Sequence, residues 1–304
     1  MKKWIVFIAS ILSLCCSVGR AGDLEDGIEA HYKGNDAQAL ELLRPLAQEG
    51  DAAAQFFLGR IFVRAGSVQN YQEAVKWYRL AAEQRVAAAQ YSLGRMYAAG
   101  KGVAQDYQEA VKWYRLAAEQ GDEFAQFLLG RMYITGKGVT QDYQEAVKWY
   151  RLSAEQGNEI AQFLLGRMYV TGKGVTQDYQ EAMKWYRLSA EQGNAVSQAK
   201  LGWMYTKGEG ANQDYQEAVK WYRLSAEQGN AIAQYNIGAM YAMGNDVSQD
   251  YARAYMWFSL AASNGGRNAE KGLESVAKEM TPSQIADAQR MARDCETMNY
   301  KNCE

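Results

Sequence analysis

The chain has few of the residues on which most catalytic and metal sites depend. Its 304 residues include a single histidine, His31, which excludes a metal site built on several imidazoles and disfavours a catalytic triad. Only two prolines occur, which argues against a loop-rich all-β protein. The formal net charge is −2, whereas nucleic-acid-binding proteins usually carry a basic excess. We therefore expect no metal, cofactor or nucleic acid as a ligand.

The segment 1–21 has the layout of a secretory signal peptide. Two lysines precede an apolar run at 4–16, and small residues lead up to Ala21. This pattern predicts cleavage between Ala21 and Gly22, and a periplasmic or secreted bacterial protein. The apolar run is short for a bilayer span and no later stretch is longer, so we expect no membrane span after signal removal. An uncleaved anchor, or lipidation of a cysteine at 15 or 16, is the alternative.

The two remaining cysteines, Cys295 and Cys303, lie eight residues apart near the C-terminus. In an exported protein such a pair predicts a disulfide, which stabilises its short loop by roughly 2–3 kcal/mol. Two free thiols are the alternative. The spacing is not the C-x-x-C of redox enzymes, which argues against catalytic use.

A 36-residue period dominates the rest of the sequence, and 48% of the residues of the whole chain are hydrophobic. The phrase DYQEAVKWYRLAAEQG at 106–121 returns almost unchanged at 142–157 and 178–193. Such a period indicates stacked supersecondary units, each unable to bury its apolar face alone. We predict capping helices at 22–51, repeats at 52–86, 87–122, 123–158, 159–194, 195–230 and 231–266, and a capping helix with a disulfide tail at 267–304.

Each repeat predicts two helices. In the second repeat, Gly94 allows a neighbouring helix to approach closely, Asp106 caps the second helix with Glu109 completing a capping box, and Gly121 ends it. In the first repeat, Asn70 stands where the others have the capping aspartate, and Arg85 replaces the final glycine. The tryptophans that recur every 36 residues are expected in the core.

Helix signals also mark both ends of the chain. Asp36 is expected to start a helix that Pro45 kinks, and Thr281-Pro282 with Gln284 predicts a helix over about 283–296.

The repeated phrase A-x-x-x-L-G-x-M-Y-x-x-G-x-G-V-x-x-D-Y-x-x-A-x-x-W-Y-x-x-A-A-E-Q-G resembles the Sel-one-like repeat, a relative of the tetratricopeptide repeat. The resemblance covers 52–266, and the tail at 292–303 is similar to that of exported bacterial members. It implies an all-α fold, a right-handed α/α superhelix of helix-turn-helix repeats. It also implies a non-catalytic adaptor that binds proteins or peptides. Some members have a cysteine pair in each repeat and are linked to β-lactam-like ligands, whereas no repeat here contains cysteine.

The first helix of each repeat has a second stripe. In the first four repeats an aromatic residue precedes an arginine by one turn on this stripe, and the same two positions hold Ala199 and Trp203 in the fifth repeat and Tyr235 and Ala239 in the sixth. The resemblance places these positions in a concave groove, and arginine forms bidentate bonds to carboxylates, so we expect a protein or peptide partner with acidic groups. Alternatively, the rings pack between adjacent repeats and the arginines pair with nearby glutamates. The candidate positions are Phe56, Arg60, Tyr91, Arg95, Phe127, Arg131, Phe163, Arg167, Trp203 and Tyr235.

Other patterns predict no chemistry. Ser197 and Ser275 begin S-x-x-K motifs without the S-D-N and K-T-G companions of penicillin-recognising enzymes. Lysines on the second helices each follow a glutamate by three residues, which predicts a solvated outer face. We therefore predict a non-catalytic scaffold in the bacterial envelope. The alternatives are a receptor for cell-wall peptide or a β-lactam, a hydrolase, and an effector delivered into a host; the oligomeric state stays open.

Overall fold

A computed structural model describes residues 18–244, 247–301 and 303, and these contain sixteen α-helices and no β-strand. The predicted all-α fold class is confirmed. Most of the predicted signal peptide lies outside the described residues, and the predicted cleavage position between Ala21 and Gly22 falls within the first helix. The helices are α1 (Val18–Tyr32), α2 (Asp36–Gln48), α3 (Ala52–Ala65), α4 (Val68–Glu83), α5 (Ala87–Ala99), α6 (Tyr107–Glu119), α7 (Glu123–Thr135), α8 (Tyr143–Glu155), α9 (Glu159–Thr171), α10 (Tyr179–Glu191), α11 (Ala195–Lys207), α12 (Tyr215–Ala226), α13 (Ala231–Met243), α14 (Tyr251–Ser263), α15 (Ala269–Ala277) and α16 (Pro282–Thr297).

The chain divides into two compact units between Ser153 and Ala154, within α8. In the first unit the hairpins α1–α2, α3–α4 and α5–α6 follow one another, and each second helix packs against the first helix of the next hairpin. In the second unit α9–α10, α11–α12 and α13–α14 are arranged in the same way, and α15 and α16 both pack against α14. Consecutive hairpins thus supply the apolar neighbour that a single hairpin lacks.

Capping residues set where the second helices begin. The carboxylate of Asp106 accepts hydrogen bonds from the backbone N–H groups of Gln108 and Glu109 at 2.8 and 3.0 Å, which confirms the predicted cap. The reciprocal half of a capping box does not form. The backbone N–H of Asp106 donates to the carbonyl of Tyr97 at 3.0 Å and closes the interhelical loop, while the Glu109 carboxylate pairs with Lys112.

Glycines allow the two close features of the hairpin that were predicted. A Cβ on Gly94 would lie 2.7 Å from the ring of Tyr114, so the missing side chain lets α5 approach α6. Gly121 follows α6 with φ +92°, a left-handed conformation that favours glycine. Arg85 takes the equivalent position in the preceding repeat with φ +67°.

The predicted cap of α4 needed correction, whereas α2 begins at Asp36 as predicted and the kink at Pro45 stays a prediction. Ser67, not Asn70, caps α4, because its hydroxyl accepts from the Asn70 backbone N–H at 3.1 Å and lengthens the helix by about one turn. Asn35 caps α2, so Asp36 is its first helical residue. Pro45 lies inside α2, which continues to Gln48.

A buried glutamine in each repeat links consecutive hairpins. In the first unit, Gln90 Nε2 donates to the carbonyl of Ala82 at 3.0 Å, near the end of the preceding helix, and its Oε1 accepts from Gln120 Nε2 at 2.6 Å. The Ala82 carbonyl also accepts from the backbone N–H of Arg85 at 3.0 Å, so the glutamine is an additional donor to a carbonyl at the helix C-terminus. The buried amides that bond in this way to the preceding helix end, at 3.0–3.2 Å, are Gln55, Gln90 and Gln126 in the first unit and Gln162, Gln198 and Gln234 in the second.

The periodic tryptophans contribute to the core unequally. Trp113 and Trp257 are buried, whereas those at 77, 149, 185 and 221 are half-buried. Trp257 is the largest fully buried side chain of the described residues, and the others are mostly leucines and tyrosines, such as Leu93 in the first unit and Tyr222 in the second. The expectation of a core role therefore holds in full for two of the six tryptophans.

The C-terminal segment folds onto the last hairpin of the second unit. Thr281 and Gln284 form both halves of a capping box, and α16 runs from Pro282 to Thr297, as predicted. The sulfur atoms of Cys295 and Cys303 are joined, with Cα atoms 5.0 Å apart. The oxidation state of this pair in the cell stays a prediction.

Candidate partner-binding face of the first helices

The ten candidate residues lie on the first helices of the hairpins: α3, α5 and α7 in the first unit, and α9, α11 and α13 in the second. On α5, Tyr91 is half-buried and Arg95, one turn later, is exposed. Within each unit, we call the surface formed by the aromatic and arginine positions of these helices the first-helix face.

The aromatic rings pack partly into the core of their own repeats. The ring centroids of Tyr91 and Tyr114 are 6.3 Å apart, and those of Phe127 and Tyr150 are 6.0 Å apart. In the second unit the equivalent pairs are Phe163 with Tyr186 at 5.8 Å and Tyr235 with Phe258 at 5.3 Å. The packing alternative is therefore correct in part, but the contacts run mainly within a repeat, from first helix to second.

Burial of the tyrosines beneath these rings keeps them neutral. It raises the pKa of Tyr78 and of Tyr222 to about 12, and it raises the pKa of Tyr114 and Tyr186 as well. The layer beneath the face therefore carries no charge near neutral pH, and the charge of the face comes from its arginines.

The arginines of this face differ in what they contact. Arg95, Arg131 and Arg167 are exposed, and none of them forms an ion pair with an acidic residue in the described part of the chain. The guanidinium of Arg95 lies 5.6 Å from the ring centroid of Tyr91, within the range of a cation–π contact. The alternative prediction, that the arginines pair with nearby glutamates, is therefore wrong for these three residues.

Arg60 is engaged within the protein. Its guanidinium lies 5.4 Å from the ring centroids of both Tyr32 and Phe57 and 5.9 Å from that of Phe56, and it donates to the Tyr32 hydroxyl at 3.2 Å. Arg64 on the same helix bonds to Asp36 and to the carbonyl of His31. The first repeat therefore uses its arginines to hold the preceding hairpin.

A third row of this face was missing from the predicted set. The second residue of several first helices is a large apolar side chain with substantial exposure: 41% for Phe124, 49% for Ile160, 45% for Val196 and 67% for Ile232. Phe124 also contacts the preceding repeat, with its ring centroid 6.1 Å from that of Tyr91. Each lies three residues before the aromatic position, so the same helical spacing would have found it.

The face changes along the second unit. Arg167 on α9 is followed by Trp203 on α11 and Ala239 on α13, both half-buried, so the last two first helices carry no arginine at this position. Trp203 also packs against the core of this unit. The arginine chemistry is thus concentrated in the earlier repeats, and apolar side chains replace it later.

Residues with catalytic potential are held in structural roles. His31 is buried, with Nδ1 3.3 Å from Asp36 Oδ1, and burial together with the charges of Arg60 and Arg64 lowers its pKa to about 4. Ser197 is buried and its hydroxyl bonds to that of Ser189 at 2.8 Å. Among the described residues, no three His, Cys, Asp or Glu side chains are placed to hold a metal ion.

The predicted outer face of the second helices is confirmed. Each lysine pairs with the glutamate three residues before it, and both partners are solvent-accessible. These pairs are Lys76–Glu73, Lys112–Glu109 and Lys148–Glu145 in the first unit, and Lys184–Glu181 and Lys220–Glu217 in the second. Nowhere in the described segments is a helix both long and apolar enough to cross a membrane.

Tandem two-helix units with a period of 36 residues, each closed by a glycine contact between its helices and linked to the preceding unit by a buried amide, define an α/α repeat protein of the solenoid class. The chain belongs to the Sel1 repeat family. The family model matches residues 20–51, 52–86, 87–122, 124–158, 160–194, 195–230 and 231–266. It thus also matches the segment 20–51, for which capping helices were predicted.

Two solved structures share the fold. A protective antigen of uropathogenic Escherichia coli with an SLR fold is 38% identical with a TM-score of 0.74, covering 84% of this chain. This chain spans 56% of the length of that structure. A Sel1 repeat protein from Oxalobacter formigenes is 34% identical with a TM-score of 0.66, covering 79% of this chain and 96% of its own. No significant match was found among proteins with curated descriptions.

Proposed function

We propose that the protein is a non-catalytic scaffold that binds an acidic protein or peptide partner through its first-helix face. The observation that carries the proposal is the state of Arg95, Arg131 and Arg167, which are exposed and have no acidic partner in the described structure. A guanidinium supplies a planar fork of donors that matches a carboxylate, so this face is suited to acidic groups. Membership of a repeat family whose folds commonly present binding surfaces supports the same assignment.

The cellular place of the proposed scaffold is the bacterial envelope or the exterior. The pattern at 1–21 supports export, and the C-terminal cysteine pair suits an oxidising compartment. Fractionation with mass measurement of the mature chain tests this. We expect a mature N-terminus at Gly22 and a mass lower by two hydrogens than that of the reduced chain. Retention of residues 1–21 in the mature protein would contradict the placement.

Partner binding is tested by comparing the wild-type chain with the triple variant Arg95→Ala, Arg131→Ala and Arg167→Ala. Both are used to capture proteins from envelope extract, and each captured protein is then purified and titrated against both forms. Each exposed charge pair contributes up to about 1 kcal/mol, so the triple variant should weaken binding by about ten-fold or more, with a strong salt dependence.

The matched control removes the same charge from the outer face. Lys76→Ala, Lys112→Ala and Lys148→Ala alter three exposed, ion-paired lysines and should leave the affinity unchanged. A purified partner that binds the arginine variant as tightly as it binds the wild type would refute binding through the first-helix face.

A further inference from the structure

The neighbouring helices α5 and α7 of the first unit present two arginines side by side on a surface that has little other charge. Arg95 is the sole charged residue of α5, and Arg131 shares α7 only with Glu123 at its first position. The ring contact between Tyr91 on α5 and Phe124 on α7 shows that these helices touch across the face. Packed helices lie about 8–10 Å apart, so we take this range as the separation of equivalent residues on the two helices.

That separation selects the geometry of an acidic ligand. In a polyproline II segment, same-side residues recur every third position, about 9 Å apart. In a β-strand they recur every second position, about 7 Å apart, or every fourth, about 13 Å apart. The three-residue repeat of polyproline II is therefore the closest match to two arginines on adjacent helices.

The aromatic pair beside the arginines points to the same ligand. Tyr91 lies one turn before Arg95, and Phe124 is two turns before Arg131 and 41% exposed. Aromatic surfaces accept proline rings, and a preformed polyproline II segment loses little conformational entropy when it binds. On the other first helix of this unit, Arg60 is already occupied by the rings of Tyr32, Phe56 and Phe57, which leaves Arg95 and Arg131 as the pair.

We propose that the α5–α7 face binds an extended, proline-containing segment of a partner whose carboxylates recur every third residue, with one carboxylate on Arg95 and the next on Arg131. This rests on the proposed function, which requires only that acidic groups bind the first-helix face. Three details are new: the spacing of the acidic residues along the ligand, the extended conformation of the ligand, and the two arginines that bind its carboxylates.

The test uses three synthetic peptides of equal length and charge, in which two glutamates are separated by one, two or three prolines. Binding to the full mature chain is measured by fluorescence anisotropy at low and high salt. The peptide with two intervening prolines should bind about five-fold more tightly than the others, since it alone engages both arginines at once. Either single variant, Arg95→Ala or Arg131→Ala, should abolish this preference.

The controls separate the register from the proposed function. Lys76→Ala with Lys112→Ala removes two charges from the outer face and should preserve the preference, and circular dichroism verifies that each variant is folded. Equal affinity for all three peptides, lost when both arginines are replaced, would overturn the register but would still support binding of acidic groups by the first-helix face. Peptide binding that is unchanged when both arginines are replaced also overturns the inference, and so does the absence of measurable binding for every peptide. The titration of the captured partner then tests the proposed function independently.

Discussion

Asp122, which caps α7, carries a carboxylate whose ionisation opposes folding. Its oxygen accepts a hydrogen bond from the Ala125 backbone N–H at 2.8 Å, but burial raises its pKa to about 6. The equivalent cap of α9 is Asn158, whose side chain makes the same bond to Ala161 at 2.9 Å without a charge. The exchange Asp122→Asn therefore keeps the cap and removes the titration.

The sign of the effect follows from the raised pKa. The folded state binds the proton more tightly than the unfolded chain, so the contribution of Asp122 is most favourable below about pH 4 and is lost as pH rises through about 6. Two pKa units correspond to about 3 kcal/mol at most, and partial solvent access reduces this to about 1–2 kcal/mol. We expect Asp122→Asn to match the wild type near pH 4 and to be more stable by about 1–2 kcal/mol above pH 7.

Urea unfolding of both proteins at unit intervals from pH 4 to pH 8 measures this difference, and titrations of other groups cancel in the comparison. The reverse exchange, Asn158→Asp in the second unit, is the matched control and should introduce a loss of stability as pH rises. A difference between Asp122→Asn and the wild type that stays constant over the whole range would refute the argument from burial.

Three further exchanges test the packing. Gln90→Leu removes the amide that bonds to the Ala82 carbonyl and to Gln120 Nε2 and leaves both groups without this partner. We therefore expect about 1–3 kcal/mol of destabilisation in thermal unfolding, whereas the same exchange at exposed Gln108 should change little. Gly94→Ala puts a methyl group into the ring of Tyr114 and should cost about 1–3 kcal/mol; an unchanged melting temperature would show that α5 and α6 can separate freely. Cys295→Ser should lower stability by roughly 2–3 kcal/mol under oxidising conditions and by nothing in reductant, and equal loss in both conditions would show that the cysteines are not bonded.

Local signals in the sequence predicted the hairpins well, because helix caps and stops depend on near neighbours. Asp106 and Gly121 act within a few residues of their own positions, and both behave as their residue types predict. Ser67 was missed because two capping residues stood close together, and the choice between Ser67 and Asn70 depends on how much of α4 finds packing partners.

Contacts between distant residues could not be predicted in this way. The buried glutamines have the residue type of a solvated surface, and their role depends on carbonyls eight residues earlier and amides about thirty residues later. Arg60 and Arg95 occupy the same place in the repeat, yet Arg60 lies against the ring of Tyr32 on α1, whereas Arg95 lies against the ring of Tyr91 on its own helix. The positions on the face were predictable from helical spacing, whereas the availability of each arginine was not.

The amide link between hairpins has a consequence for how the gene can change. Gln90 bonds to Ala82 and Gln126 bonds to Ala118, and both carbonyls belong to the same recurring phrase. If recombination removed the 36 codons for 87–122, Gln126 would meet Ala82 in place of Ala118, so the amide link would be replaced in kind. Val86 would then precede α7 in place of Asp122, and the backbone N–H of Ala125 would lose its capping carboxylate. The links between hairpins thus tolerate a change in copy number, whereas the helix cap does not, and the number of exposed arginines would change with the number of copies.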